Sequence, residues 1–280
     1  MRTSINEPLS LDYTLPGGQA FGWKKNKDGV WTGIIGSNVV RLAFEGSELF
    51  WDGADFEVVK DYLRLDGSIL TDIDALGKDP YTAPLLTKYS GLRVLRQDVR
   101  ECLFSFICSA ANSIPKITAG IDELRAKIGE PIGGGYHAFP TTEAIAEADP
   151  EDLASIKPLA FRGRNLVKLA RYILDHGGDE GLYALKNLPY EQAREELTKL
   201  PGVGKKIADC VCLFGLDFPQ AVPVDTHVRQ IAQRYFLEGS DSKTVTDRVY
   251  KEVREAFVER YGKRAGLAQQ YLFTGEISGL

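Results

Sequence analysis

Short runs of β-branched and aromatic residues, separated by glycines, make up much of the N-terminal part of the chain. These runs cover residues 30–35, 38–45 and 48–52. Gly-Ser dipeptides at positions 36–37 and 46–47 join them, and glycine accepts the positive φ that a two-residue hairpin turn requires. The pattern therefore predicts an antiparallel meander in this part of the chain.

Beyond Asp55 the hydrophobic positions recur at the spacing of an amphipathic helix. Phe56, Val59 and Leu63, for example, fall on one helical face. Further helices, with glycine or proline in several of the intervening segments, are predicted at residues 114–128, 164–176, 190–200, 205–214, 225–236, 242–257 and 263–274. The predicted fold class is α+β, with an N-terminal antiparallel β-sheet domain fused to an all-α domain.

Composition narrows the class of protein only a little. The chain has 280 residues, of which 44% are hydrophobic and 26% charged, as in ordinary globular proteins. No window comes near the ~18 unbroken apolar residues of a membrane span, and the first residues lack the apolar core of a signal peptide. A net charge of −5 argues against coating nucleic acid through bulk charge, but it allows a local basic surface.

The four cysteines, Cys102, Cys108, Cys210 and Cys212, lie in apolar helical patterns. Such positions suit reduced, buried thiols in a cytosolic compartment. The sequence has no Cys-x-x-Cys pair and no Cys/His cluster, which argues against a zinc or iron–sulfur site.

A glycine-rich turn follows Leu200, where the sequence is LPGVGKK. Pro201 cannot continue a helix, and Gly202 and Gly204 let the backbone turn tightly and approach a ligand closely. The amides of the turn and of the next helix form a natural seat for a phosphate group. Two interpretations stay open from these residues: a contact with a nucleic-acid backbone, or a purely structural link between two helices.

Lys206 lies in the first turn of the helix that follows, and its neighbours from Ile207 onwards are mostly apolar. Apolar surroundings and a helix N-terminus both favour the neutral amine, which is a nucleophile. Asp225 stands just before another predicted helix, where it would cap the first amides. It could also face Lys206 and stabilise positive charge on a sugar. A catalytic pair and a solvated lysine beside a capping aspartate remain alternatives.

The stretch 200–236 resembles the helix-hairpin-helix plus Gly/Pro…Asp signature of the DNA glycosylase superfamily. Four more blocks resemble the 8-oxoguanine DNA glycosylase family more specifically; they lie at residues 15–21, 91–98, 105–109 and 268–273. The blocks occur in the family's order and span nearly the whole chain.

The resemblance implies a TBP-like β-sheet domain over residues 1–90 and an all-α glycosylase domain over residues 91–280, with the hairpin at 197–210. It implies a monomeric base-excision repair enzyme that acts on double-stranded DNA containing 8-oxoguanine, without a cofactor, a catalytic metal or a membrane. The location is then the nucleoid in the cytoplasm of a bacterium, or the nucleus of a eukaryote. A monovalent ion at the hairpin carbonyls is compatible with the resemblance, although no side-chain ligands indicate one.

The resemblance also assigns catalytic roles. Lys206 attacks the anomeric carbon of the damaged nucleotide and displaces the base, and the resulting Schiff base permits β-elimination. Asp225 positions and stabilises this step. Both residues also have ordinary structural roles, as a surface lysine and a helix cap.

Four residues are implied as the pocket for the damaged base. Gly18 offers its carbonyl to the N7 hydrogen that 8-oxoguanine has and guanine lacks, and Gln269 contacts the Watson–Crick edge. Cys210 and Phe273 sandwich the extruded base. Taken singly, each has a plain alternative as a turn glycine, a surface amide, a small buried hydrophobe or a core aromatic.

The resemblance further implies contacts with DNA around the lesion, at Ala111, Asn112, Lys116, Phe161, Arg162, Gly202, Gly204 and His227. Arg162 is expected to reach the orphaned cytosine, although an ion pair with a nearby carboxylate is its structural alternative. His227 is expected to contact the backbone.

Four positions depart from the family pattern. Ala111 stands at the place of a wedge asparagine, Lys116 at that of an arginine, and Phe161 at that of a tyrosine. Lysine cannot make the planar bidentate contact that arginine makes, so weaker discrimination for cytosine opposite the lesion is predicted. Gly22 replaces a larger basic residue, which predicts a less braced loop around Gly18.

Two rival functions remain. One is a helix-hairpin-helix glycosylase for another oxidised or alkylated base. Lys206 argues against the purely hydrolytic type, and the absence of a C-terminal cysteine quartet argues against the endonuclease III type. The other is a non-catalytic DNA-binding module that retains only the hairpin.

Overall fold

The predicted meander forms the centre of a five-stranded antiparallel sheet. A computed structural model describes residues 1–237 and 242–278. The strands of this sheet are β1 (Arg2–Ser4), β2 (Lys24–Lys25), β3 (Trp31–Ile35), β4 (Asn38–Glu45) and β5 (Glu48–Asp52), in the spatial order β1-β5-β4-β3-β2. A separate two-stranded ribbon consists of β6 (Pro131–Gly133) and β7 (Tyr136–His137).

Two glycines close the hairpins of the meander as predicted. Gly36 has φ +61 and Gly46 has φ +62, the left-handed conformation that glycine adopts without strain. The register places Trp31 opposite Leu42, and Leu42 opposite Trp51, so these three side chains share the buried face of the sheet. The outer strands β1 and β2 were not predicted, because two or three residues carry too little pattern to indicate a strand.

Helices make up the rest of the described chain. Their bounds are α1 (Leu11–Thr14), α2 (Phe56–Tyr62), α3 (Leu70–Leu76), α4 (Ala83–Lys88), α5 (Val99–Ile107), α6 (Ile114–Ile128), α7 (Thr142–Glu147), α8 (Pro150–Ala154), α9 (Arg162–Asp175), α10 (Gly178–Ala184), α11 (Tyr190–Thr198), α12 (Lys205–Phe214), α13 (Thr226–Tyr235), α14 (Asp247–Tyr261) and α15 (Ala265–Ile277). Two short 3-10 helices cover Leu185–Asn187 and Gly262–Arg264. None of the helices in the described residues is long and apolar enough to cross a bilayer.

The α+β fold class is confirmed, and most predicted helices lie within a few residues of the observed ones. The main difference is α14, predicted at residues 242–257 and found at Asp247–Tyr261. Thr246 determines its start, because the Thr246 hydroxyl accepts a hydrogen bond from the backbone N–H of Val249 at 3.3 Å. The short helices α1, α3, α4, α7, α8 and α10 were not predicted, since four to seven residues give little periodicity.

Two hydrophobic cores hold the molecule together. The smaller packs the inner face of the sheet against α2, and it includes Leu42, Val59 and, from further along the chain, Leu95. The larger lies among the helices, and it includes Phe21 from the N-terminal region. Each core thus contains a residue from the other side of position 90, and the division of the chain there stays a prediction.

Candidate active site

An open cleft of about 710 Å³ brings together five separate parts of the chain. Its walls come from the loop after α1, the end of α5 with the turn that follows it, the start of α12, the start of α13, and α15. The lining residues with proposed roles or direct contacts to them are Gly18, Phe106, Ser109, Ala111, Asn112, Ile114, Gly204, Lys206, Asp225, His227 and Phe273.

The turn between α11 and α12 forms one edge of this cleft. Gly202 has φ +80 and is exposed, so the turn places a glycine where the left-handed conformation is needed. Gly204 is the N-cap of α12, and its carbonyl accepts the first helical bond from Ala208 at 2.9 Å. A side chain at Gly204 would meet nothing within 4 Å, which leaves the backbone open to a ligand.

Lys206 is the second residue of α12 and is half-buried. Its ammonium donates a hydrogen bond to the hydroxyl of Ser109 at 3.3 Å and lies 4.9 Å from the centre of the Phe106 ring. An aromatic face attracts a cation, so these two contacts hold the nitrogen at the cleft. The residues that follow Lys206 in α12, from Ile207 to Phe214, are buried, and all of them except Asp209 are apolar.

Asp225 is the N-cap of α13, as predicted. Its Oδ1 accepts a hydrogen bond from the backbone N–H of Val228 at 2.9 Å. This bond fixes the carboxylate at a helix N-terminus, where the helix dipole favours negative charge. The cap uses one carboxylate oxygen only, and Asp225 lines the same cleft as Lys206.

Residues near both ends of the chain form one wall of the cleft. Gly18 has φ +76, and a side chain there would come within 3.1 Å of Ile114 Cδ1 and 3.9 Å of Phe273 Cε1. Backbone conformation and close packing therefore both favour glycine. The His227 ring meets the Phe273 ring edge-on, with centroids 5.9 Å apart.

Two of the residues assigned to the base pocket lie behind the cleft wall. Gln269 is 3% exposed, and its side-chain oxygen accepts a hydrogen bond from the Gln270 amide at 2.9 Å. Cys210 is 2% exposed. Burial raises the pKa of its thiol to about 12, while the charge of Lys206 acts in the opposite direction. Contact of either residue with a base stays a prediction.

The turn after α5 is held by two side chains that had been assigned to DNA. Arg162 is buried, and its guanidinium donates to the carbonyls of Ala110, Ala111 (3.0 Å) and Leu159 (3.2 Å). The Asn112 amide donates to two further carbonyls, both at 3.2 Å. Both side chains thus support the turn, which carries Ala111 exposed at φ +49.

Phe161 is an unusual surface residue, because a large aromatic ring there is 52% exposed. It follows Ala160, which also has a positive φ of +49, and its ring lies 4.6 Å from the Arg162 guanidinium. Lys116 is exposed in the first turn of α6. These two side chains are free to contact a large ligand.

Comparison with known proteins identifies the family. Residues 2–103 match the family described as the 8-oxoguanine DNA glycosylase N-terminal domain, and residues 104–262 match the HhH-GPD superfamily of base excision DNA repair proteins. The N-glycosylase/DNA lyase OGG1 of Arabidopsis thaliana is 35% identical over 96% of this chain and 78% of that protein. The chain belongs to the 8-oxoguanine DNA glycosylase/lyase family of the HhH-GPD superfamily.

Other relatives agree with this membership. The N-glycosylase/DNA lyase of Saccharomyces cerevisiae is 32% identical over 78% of this chain and 65% of that protein. Among solved structures, MBOgg1 in complex with a low-affinity DNA ligand has a TM-score of 0.91 at 29% identity, covering 99% of this chain and 95% of that one. The Clostridium acetobutylicum 8-oxoguanine glycosylase/lyase, bound to DNA with cytosine opposite 8-oxoG, has a TM-score of 0.87 at 29% identity, covering 99% and 98%.

Sequence reasoning missed a buried hydrogen-bond network beneath Lys206 and Asp225, the two residues to which the resemblance assigns catalytic roles. Asp209 is fully buried, and it accepts hydrogen bonds from the Tyr190 hydroxyl at 2.7 Å, from Arg194 Nε at 2.9 Å and from the Tyr250 hydroxyl. Burial raises the pKa of Asp209, whereas Arg194 and the two tyrosines act in the opposite direction.

The Tyr250 hydroxyl lies between the backbone segments that directly precede Lys206 and Asp225. Its one hydrogen is donated to Asp209, while its oxygen accepts from the backbone N–H of Val224 at 3.4 Å and lies 3.1 Å from the carbonyl oxygen of Lys205. Lys205 and Val224 directly precede Lys206 and Asp225. An aspartate and a tyrosine in apolar helical patterns were the available signals, but neither indicates its partner.

The Arg125 guanidinium of α6 packs against Gly22, 2.5 Å from where a Cβ at that position would be. Arg125 is itself held by an ion pair with Glu101. A less braced loop around Gly18 stays a prediction. Among the described residues, no group of three or more His, Cys, Asp and Glu side chains could hold a metal ion.

Proposed function

We propose that this enzyme removes 8-oxoguanine from double-stranded DNA and then cleaves the strand at the resulting abasic site. One observation carries the proposal: Lys206 and Asp225 line the same cleft as Gly18 and Phe273. The proposed nucleophile and carboxylate thus line the same cleft as the two residues proposed to contact the planar base. The family's relatives bear names that describe this pair of activities.

In the proposed reaction, the neutral amine of Lys206 forms a bond to the sugar C1′ as the bond between C1′ and the base breaks. The base leaves with the electron pair of that bond, and the Asp225 carboxylate stabilises positive charge on the sugar. One N–H proton then passes from the nitrogen to the ring oxygen O4′ as the C1′–O4′ bond breaks, and this opening of the sugar ring leaves a protonated Schiff base. Removal of a proton from C2′ then expels the 3′ phosphate oxygen and nicks the strand.

Four residues at or behind the walls of the cleft recognise the base itself. Gly18 accepts the N7 hydrogen, and a buried acceptor left unpaired by guanine costs roughly 1–3 kcal/mol, which suffices to discriminate. Phe273 stacks on one face of the base and Cys210 lies on the other. Gln269 contacts the Watson–Crick edge. To do so, its side-chain amide must give up the hydrogen bond with Gln270 and bond to the base instead.

The enzyme must extrude the nucleotide to reach C1′, at a cost of a few kcal/mol. Exposed Phe161 and the turn at Ala111 enter the gap, and Arg162 and Asn112 support that turn or contact the orphaned base. The remaining proposed DNA contacts are the amides of Gly202 and Gly204, the Lys116 ammonium and the His227 ring. Because the substrate is DNA, we infer a location in the nucleoid of a bacterium or the nucleus of a eukaryote.

Borohydride trapping on an 8-oxoguanine duplex tests the proposal. Borohydride reduces the Schiff base to a stable covalent adduct between protein and DNA. The wild type is expected to give the adduct and Lys206→Gln to give none. Lys205→Gln is the matched control, because the neighbouring ammonium pairs with Asp247 at 2.9 Å and does not line the cleft. It should trap as the wild type does.

Other outcomes separate the rival functions. Tight binding without any adduct would indicate a non-catalytic DNA-binding module. An adduct on a duplex with another oxidised or alkylated base, but none on 8-oxoguanine, would indicate a different substrate. An adduct that persists in Lys206→Gln would contradict the assignment of the nucleophile.

A further inference from the structure

Gln19 is a fully buried amide that directly follows Gly18 in the cleft wall. Its side-chain nitrogen donates to the carbonyl of Arg93 at 2.8 Å, and its side-chain oxygen accepts from the backbone N–H of Leu95 at 2.8 Å. The amide thus pairs with a distant backbone segment as a neighbouring strand would. Both ends of a buried polar group are satisfied, which favours one position of the side chain.

The backbone of Gln19 is held as well. Its carbonyl accepts a hydrogen bond from the side-chain amide of Gln97 at 2.8 Å. Thr14 ties the start of the loop to the same segment, because its hydroxyl accepts from the backbone N–H of Arg93 at 3.0 Å. The loop of residues 14–19 is therefore attached to residues 93–97 on both sides of Gly18.

Such attachment matters because two adjacent glycines, Gly17 and Gly18, occupy the loop. Glycine loses more conformational freedom on folding than any other residue, so this backbone has little stiffness of its own. Gly18 has no side chain that could anchor the loop. The position of its peptide relative to Phe273 therefore depends on the bonds made on either side of it, by Thr14 and most directly by Gln19.

We propose that Gln19 is a positioning residue for base recognition, which holds the Gly18 carbonyl where it can accept the N7 hydrogen of the damaged base. The inference rests on the proposed function and deepens it. Lys206 lies on α12 and Asp225 caps α13, and neither is among the hydrogen-bond partners of Gln19. Loss of the Gln19 bonds should therefore impair selection of the base and spare the chemistry at the sugar.

The test compares two substrates on the same enzyme. One duplex carries 8-oxoguanine, which requires base recognition, and the other carries a preformed abasic site, which has no base. Gln19→Met keeps the size of the side chain and removes both polar ends. Gln97→Leu removes the bond to the Gln19 carbonyl from a half-buried position, while the backbone N–H of Gln97 keeps its bond to Phe214 at 2.7 Å.

Gln97→Leu, which removes one hydrogen bond, is expected to lower kcat/KM for 8-oxoguanine excision by about tenfold, and Gln19→Met, which removes two, by at least as much. Strand cleavage at the abasic site should stay within about twofold of wild type, because it needs Lys206 and no base contact. The control is Thr82→Val, which removes a buried bond to the Leu76 carbonyl (2.6 Å) away from the cleft. It should change neither activity.

Equal losses on both substrates would overturn the proposal, because they would indicate general distortion of the site. Unchanged excision in folded Gln19→Met would also overturn it. If Gln19→Met does not fold, Gln97→Leu decides by the same criteria. A wild type that cleaves abasic DNA but never excises 8-oxoguanine would refute the proposed function and this inference together, whereas an active wild type with unaffected variants would refute this inference alone.

Discussion

Replacing Tyr250 by phenylalanine tests whether the network beneath the cleft positions Lys206 and Asp225, the proposed catalytic residues. The tyrosine ring is 4% exposed, so phenylalanine fits the same space and only the hydroxyl is lost. That hydroxyl donates its one hydrogen to the Asp209 carboxylate, accepts from the Val224 N–H, and lies 3.1 Å from the Lys205 carbonyl oxygen. The change therefore removes the bond that ties the segment before α13 to Asp209 of α12 through this hydroxyl.

A magnitude follows from these partners. A hydrogen bond to a charged group contributes about 1.5–3 kcal/mol, and the Val224 N–H also loses its acceptor. We expect the free energy of unfolding to fall by about 2–3 kcal/mol. The Tyr250 bond lowers the pKa of Asp209, against the larger effect of burial. Its removal raises that pKa further, so the stability difference from wild type should be greatest above this pKa and shrink as pH falls through it.

Urea unfolding and single-turnover excision of 8-oxoguanine measure the two effects. Tyr261→Phe is the matched control, because that buried hydroxyl also donates to a carboxylate, Asp79, at 3.1 Å, but does not touch the cleft. Both variants should lose stability, and only Tyr250→Phe should lose excision, by about tenfold or more. Equal excision rates in the two variants would refute a positioning role for the network.

Three further outcomes are expected. Excision of 8-oxoguanine opposite cytosine should exceed excision opposite thymine, guanine or adenine by less than about a hundredfold, the scale of one bidentate contact, because Arg162 is engaged with carbonyls. Excision rates on the four duplexes check this, and a larger preference contradicts it. Phe161→Ala should change stability by less than about 0.5 kcal/mol yet slow excision several-fold, whereas Leu174→Ala, at a similarly exposed position, should not. Burial raises the folded-state pKa of Cys210 above the ordinary thiol value. The contribution of Cys210 to the free energy of unfolding is therefore intact below that ordinary value and declines at higher pH, by up to about 1.4 kcal/mol per pH unit. Urea titrations between pH 8 and pH 11 should show a shallower decline of stability in Cys210→Ala than in wild type.

The local part of the site could be predicted from the sequence because its signals are local. Glycines at 202 and 204, a lysine in the first helical turn and an aspartate before the next helix each have a conformational reason to stand where they do. The structure confirms the Asp225 cap and the course of the turn. The meander was predictable for the same reason, since its glycine turns and β-rich runs act between neighbouring residues.

Resemblance located the distant residues, but it could not tell which way their side chains point. Arg162 and Asn112 were expected at the DNA and are found bonded to carbonyls of the turn. Gln269 was expected at the base and lies buried against Gln270. A side chain with several donors takes whichever acceptors the packed neighbours offer, and only packing determines those.

The sequence by itself determined the α+β architecture, the turn with its lysine and aspartate, and the membership that the ordered blocks indicate. Tertiary structure decided that Gly18 and Phe273 stand side by side in one wall of the cleft, that Gln19 is held by residues 93–97, and that one tyrosine lies beside both the start of α12 and the segment before α13. Local conformation depends on neighbours a few residues apart, which a sequence displays directly. Contacts between residues far apart in the chain arise only when the helices and the sheet have packed, and these contacts place the predicted residues around a common cleft.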